Sequence, residues 1–156
     1  MKKLTAIVLT FLLCALVSGC DMDETQSVRA LFDPGKVYRL ELTLDSKSYE
    51  AELELAEESQ TLRFLPGNVK KVFDKSGETD VCDDIVFLLP SPTAFSRLPA
   101  VIDYLRSRSF VCNEKNENKR FEFRAGDDKV TLVCDPELKR PLEITARDLT
   151  AKFIYQ

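Results

Sequence analysis

The residue types in this chain that could do chemistry are few: five cysteines and a scatter of carboxylates, with no histidine at all. Without an imidazole, Ser-His-Asp and Cys-His catalysis, His-ligated zinc and the usual general base at neutral pH are excluded. Hydrolysis by paired carboxylates needs only two acids flanking a bond, and calcium needs several oxygens from one loop. Asp80, Asp83 and Asp84 form one candidate group, and Asp127 with Asp128 another. Neither follows the calcium-loop pattern, and Gly126-Asp127-Asp128 between two alternating segments reads as hairpin-turn chemistry. The five glycines stand apart, so no phosphate-cradling loop is present. The chain is therefore read as non-enzymatic, with no catalytic residue, metal or cofactor assigned.

Cys20 is the residue with a specific chemical context. Met1-Lys2-Lys3 is cationic, and Leu4 to Val17 is interrupted only by Thr5 and Thr10, which is the layout of an export signal. As a helix this stretch would span roughly 21 Å, short of the roughly 30 Å hydrocarbon core, so a cleaved signal is expected rather than a permanent span. Val17-Ser18-Gly19-Cys20 resembles a bacterial lipobox: an aliphatic residue, two small ones that admit an extended backbone to a peptidase, and a thiol able to accept a diacylglyceryl group by thioether formation. The resemblance implies cleavage before Cys20 and further acylation of the new amine by palmitate-like chains. Two or three chains, at about 0.8 kcal/mol per buried methylene, exceed what stable anchoring needs. The expected address is the extracytoplasmic face of the cell membrane, held by the lipid on Cys20. In Gram-negative bacteria with lipoprotein sorting, an acidic residue in the place of Asp21 is associated with inner-membrane retention.

Removal of residues 1–19 takes away Lys2 and Lys3 and no acid, so 22 basic residues become 20 against 26 acidic, a balance of −6. That balance, with no basic stripe, argues against nucleic acid as a partner. Cys82, Cys112 and Cys134 then remain, an odd number. If the segments around Cys112, Phe121 and Val130 form a meander, Cys112 and Cys134 lie on its first and third strands, about 9.6 Å apart and beyond the roughly 7 Å limit for a disulfide. Buried thiols are the expectation, Cys134 sharing a face with Val130 and Leu132 and Cys112 one with Phe110.

The elements that must position these residues follow from periodicity. Asp21 to Pro34 is mostly polar and closes on Pro34-Gly35, so residues 20–35 read as a lipid-anchored tether. From Val37 the pattern has period two: Tyr38, Leu40, Leu42 and Leu44, then after Asp45-Ser46-Lys47 the set Tyr49, Ala51, Leu53 and Leu55 alternating with Glu50, Glu52 and Glu54. Leu62 and Phe64 continue as a third strand. Ile85 to Leu89 is a continuous apolar run, which predicts a strand buried on both faces or lying under a helix. Phe95, Leu98, Val101, Ile102 and Leu105 recur at helical spacing, with Ser91 or Ser96 as the cap and Pro99 in the first turn or at a kink. Phe121 and Phe123, Val130 to Cys134, Leu142 with Ile144, and Leu149 to Tyr155 complete the strands. The expected fold is α+β: a curved antiparallel sheet of about eight strands with one main helix packed on its apolar face, over residues 36–156.

The closing stretch, with Leu132, Asp135-Pro136, Pro141, Leu142 and Ile144, resembles that of small clostridial-type lipoproteins, and the element order is more distantly similar to lipoprotein carriers of the Lol type. The latter resemblance implies a half-barrel whose sheet and helical lid enclose a site for acyl chains. The functional expectation is a membrane-anchored lipoprotein binding an apolar ligand or lipid in such a groove. The alternative is an envelope assembly module that docks another protein through its sheet, with the Glu50, Glu52 and Glu54 row as the candidate surface.

Overall fold

The computed structural model describes residues 24–83, 85–109, 112–115 and 117–155. Eleven antiparallel strands form one open sheet: β1 (Val37–Leu44), β2 (Lys47–Leu55), β3 (Ser59–Leu65), β4 (Val69–Asp74), β5 (Gly77–Cys82), β6 (Ile85–Leu88), β7 (Cys112–Lys115), β8 (Lys119–Ala125), β9 (Asp128–Cys134), β10 (Pro141–Ala146) and β11 (Leu149–Ile154). Their order across the sheet is β6-β5-β4-β3-β2-β1-β11-β10-β9-β8-β7. Helix α1 covers 24–31 and helix α2 is Arg97–Ser107, preceded by a 3-10 turn at Ala94–Ser96.

The α+β architecture with an antiparallel sheet agrees with expectation; the strand number does not. The two strands missed are β4 and β5, whose inward positions carry Lys71 and Glu78 in place of apolar residues, so alternation is disguised. Residues 24–35 are not a free tether either. Val28 and Leu31 of α1 and Phe32 just after it are buried in the core, and Tyr38 Oη donates to the Leu31 carbonyl. Burial pushes the Tyr38 phenol up to about 12, so it stays a donor across the physiological range. Arg106 of α2 ties down the same end, its Nε donating to the Phe32 carbonyl at 2.5 Å and its Nη1 to that of Ala56 at 3.3 Å.

The sheet curls around α2. Asp103 accepts a hydrogen bond from Gln60 of β3, while its neighbour Tyr104 stacks on Phe123 of β8 at 5.0 Å between ring centroids. β3 and β8 are six strands apart in the sheet order, about 29 Å if flat. A helix about 10–12 Å across reaches both only if the sheet bends into a trough. Leu40, Leu42, Leu53, Leu62, Leu132 and Ile144 point into that trough and meet Leu98, Val101, Ile102 and Leu105 of α2. Each such side chain contributes about 1.5–3 kcal/mol by leaving water.

Local chemistry explains the turns. Asp45 and Ser46 both take left-handed backbone (φ 47° and 65°), the conformation a two-residue hairpin between β1 and β2 requires. Gly126, at φ +62°, serves the β8–β9 turn, as expected from Gly126-Asp127-Asp128. Pro99 sits in the first turn of α2, the first of its two expected places, and Ser96 at the N-cap position makes no capping bond and instead donates to the Thr93 carbonyl at 2.7 Å.

The largest departure concerns Ile85 to Leu89. The run does form a strand, but β6 is the edge of the sheet, with Ile85, Val86, Phe87 and Leu88 exposed by 60, 65, 52 and 70%. A continuous apolar run implies cover on both faces or a place under a helix, whereas α2, which begins at Arg97, leaves this edge uncovered.

Candidate functional site: a polar-rimmed cleft beside helix α2

Where the sheet extends past α2, its inward face changes from apolar to polar. β3, β4 and β5 pair so that Gln60 lies opposite Phe73, Phe73 opposite Glu78, and Lys71 opposite Asp80. Lys71 Nζ donates to Glu78 Oε1 at 2.9 Å and to Asp80 Oδ1 at 2.6 Å. Glu78 also accepts from the Thr93 backbone N–H through Oε2 at 2.6 Å and from the Thr93 hydroxyl through Oε1. Thr93 is the residue before the 3-10 turn, so this buried carboxylate fixes the approach of the chain to α2. Phe95 follows with its ring 5.7 Å from Lys71 Nζ, and it packs edge-on against Phe64 and Tyr49.

The electrostatics follow from the partners. Burial pushes the Glu78 carboxyl up, but the Thr93 hydrogen bonds and the Lys71 ammonium outweigh it and hold the group below its ordinary value. Burial likewise works against the Lys71 ammonium, and its two carboxylate partners outweigh that, keeping it above its ordinary value. Both groups are therefore charged at neutral pH.

Next to this network a cleft of about 510 Å³ opens between the ends of β3, β4 and β5 and the exposed flank of α2. Its apolar wall is Phe73, Pro92, Pro99 and Ala100, and its rim carries Glu57, Glu58, Asp74, Glu78 and Asp103 against Lys75 and Arg106. Gln60, only 3% exposed, holds α2 against the cleft by donating Nε2 to the Pro99 carbonyl at 3.1 Å and to Asp103 Oδ1 at 2.8 Å. Its Oε1 is buried and accepts no hydrogen bond. Burial raises the Asp103 carboxyl above its ordinary value against the opposing pull of Arg106 and the Gln60 bond. The arrangement offers an apolar wall and an acidic mouth.

Among the described residues, the carboxylates singled out in the sequence do not converge on one site. Asp80 belongs to the Lys71 network, and Asp83 accepts from Asn68 Nδ2 at 2.8 Å in the β5–β6 turn. Asp128, on the other half of the sheet, accepts from Arg147 Nε at 3.1 Å and faces Arg97 Nε at 3.6 Å. Arg97 reaches on to Asp148 at 2.6 Å, pinning the start of α2 to the β10–β11 turn. Asp127 lies in the β8–β9 turn, and Asp84 lies outside the described residues. Among the described residues no group of three or more His, Cys, Asp or Glu could hold a metal ion.

Cys20 also lies outside the described residues. Cys134 is buried on the face of Val130 and Leu132, as expected, and Cys82 is exposed. Glu50 and Glu54 are exposed on the outer sheet face, where Glu50 pairs with Arg39 at 3.0 Å. Gln60, Lys71, Glu78 and Asp103 were missed in the sequence. Parity carried a signal for Lys71, since Val69, Lys71 and Phe73 alternate, with the lysine at an inward position. No protein-family model matches the chain, and no curated protein matches it in sequence.

Proposed function

We propose that the chain is a lipid-anchored, extracytoplasmic bacterial lipoprotein that binds its ligand without transforming it, with the cleft between β3–β5 and α2 as the ligand site. The anchor reading rests on the apolar stretch Leu4 to Val17 and on Val17-Ser18-Gly19-Cys20. The observation that carries the binding reading is the cleft itself, about 510 Å³ of space walled by Phe73, Pro99 and Ala100 and rimmed by acids. An amphiphile with an apolar body and a cationic or hydrogen-donating head fits that lining. The trough, with helices on its concave side, also agrees with the distant likeness to Lol-type carriers. Its deeper interior is filled by Phe32, Leu98, Ile102 and Leu105, so a long acyl chain would enter only as α2 swings outward.

The test is to extract the full-length protein from membranes in mild detergent and identify co-purifying small molecules by native mass spectrometry. An amphiphile retained by the parent and lost from Ala100→Trp, which fills the cleft, is the expected result. A parent that carries nothing, or a ligand that survives this substitution, would remove the cleft from the account. The second reading, an envelope assembly module, draws on the exposed Glu50 and Glu54. It requires a salt-sensitive partner lost on their reversal to lysine.

A further inference from the structure

Two buried polar atoms among the residues that line the cleft have no partner, and they are opposite in kind. Gln60 spends its Nε2 on the Pro99 carbonyl and on Asp103 Oδ1. Those two acceptors fix which way the amide faces, because the turned amide would set its oxygen against two others. Its Oε1 is left buried without a donor, and its neighbours on the inward sheet face, Leu55, Leu62 and Phe73, have none to give. Arg106 presents the converse. Its Nε and Nη1 are spent on the Phe32 and Ala56 carbonyls, and its Nη2 is buried without an acceptor.

Helix α2 sets the two side by side. Pro99, Asp103 and Arg106 recur at i, i+4 and i+7 and so share one of its faces. Arg106 lies about 4.5 Å further along the axis than Asp103, the residue to which Gln60 is bonded. The unpaired acceptor and the unpaired donor therefore flank Asp103. Resting on the reading of this cleft as a ligand site, we infer that its ligand is an amphiphile with an uncharged head that both donates and accepts, a hydroxyl or a carboxamide, giving a hydrogen bond to Gln60 Oε1 and taking one from Arg106 Nη2.

The alternatives each fail one of the two atoms. An alkylammonium head would serve Gln60 but leave the Arg106 guanidinium facing a second cation. A carboxylate would serve Arg106 but set its oxygens against Gln60 Oε1, inside a rim that already holds Glu57, Glu58, Asp74, Glu78 and Asp103. Water can make both bonds, so a head that makes only one gains nothing over solvent. Each buried group left unpaired weakens binding by about tenfold or more. Both atoms are shielded from solvent, so the head reaches them as the mouth yields; the Lys75–Glu58 ion pair there is exposed on both sides and holds only weakly.

The test titrates the full-length chain in mild detergent with hexanamide, 1-hexanol, hexylammonium and hexanoate by calorimetry, protein-free micelles serving as the blank. Hexanamide, hexanol or both should bind at least about tenfold tighter than either ion, and whichever leads separates an amide from an alcohol as the head. Equal affinity for all the probes, or a preference for an ion, with binding still abolished by Ala100→Trp, would overturn this inference and leave the cleft as a ligand site. No binding of any probe, or binding that survives Ala100→Trp, would overturn the cleft reading and the inference with it. Gln60→Leu should erase the preference for amide over carboxylate, a ratio that mere loosening of α2 would not move; an unchanged ratio would overturn the role given to Oε1. Should that variant lose its native circular dichroism spectrum, Arg106→Met takes its place and should erase the preference for amide over ammonium. The series on the parent chain decides the matter without either substitution.

Discussion

Replacing Lys71 by methionine removes the cation that Glu78 and Asp80 share and that faces the Phe95 ring, while keeping an unbranched apolar side chain. The Lys71 side chain is 10% exposed and that of Glu78 2%, at 2.9 Å. A pair of unit charges near this range is worth about 4 kcal/mol at an effective dielectric of about 20, and stranding one member of a buried pair typically costs about 3–5 kcal/mol. Thr93 keeps two hydrogen bonds on the stranded carboxylate, and Asp80 is exposed enough to turn to water. The loss is therefore set at the lower end, about 3 kcal/mol, or roughly 10 °C in Tm. Urea unfolding at pH 7 measures it.

The pH dependence sharpens the test. The folded-state pKa of Glu78 lies below its ordinary value, so in the parent its contribution is present at neutral pH and is lost as pH falls through that depressed value. Lys71 lies above its ordinary value, so its share persists through neutral pH and is lost only as pH rises through that raised value. In the methionine variant burial acts on Glu78 without the cation, its pKa climbs, and protonation relieves the penalty. The gap between parent and variant should shrink between pH 7 and pH 4. A loss under about 1 kcal/mol at pH 7, or a gap constant down to pH 4, would refute the assignment of Glu78 as a buried charge held by Lys71.

Other outcomes follow from the same geometry. Phe32→Ala should cost about 3–5 kcal/mol in chemical unfolding, because a fully buried ring joining α1 to Tyr38 and Phe153 is removed; a near-neutral result would return residues 24–35 to the status of a tether. Arg106→Ala should speed amide exchange in 24–35 by loosening the Phe32 and Ala56 carbonyls, with unchanged exchange in β8–β10. A maleimide should label Cys82 in the native protein and leave Cys134 protected. Cys20→Ser should abolish incorporation of radiolabelled palmitate and move the protein out of the membrane fraction.

Legibility in the sequence followed how far local pattern coincided with burial. β1, β2, β9 and β11 alternate cleanly because the trough covers one face and water the other, so Leu40 with Leu42 and Leu53 with Leu55 announced themselves. α2 was readable because its apolar stripe faces that same trough. β4 and β5 were not, because their inward positions hold an ion network in place of hydrocarbon, and only parity marks Lys71 as inward. α1 was concealed by brevity: Val28, Leu31 and Phe32 lie at helical spacing, yet three residues in a polar segment are a weak signal. β6 misled because a run such as Ile85 to Leu88 encodes a wish for cover and not where the cover comes from. The cleft needs Gln60, Glu78 and Asp103 to converge from three elements, which no spacing records.

The pairing of β1 with β11 places the first and last strands of the chain side by side in the middle of the sheet. Each half is a run of neighbours zipped in order, but the seam between them closes only when the final residues arrive, more than a hundred positions after β1 was made. A polypeptide emerging N-terminus first therefore cannot reach this architecture until residues 149–154 have followed, and its leading half must wait for that partner beside Leu40 and Leu42. Trimming from Leu149 onward would leave two half-sheets with raw central edges, so the tail acts as the latch on the whole structure.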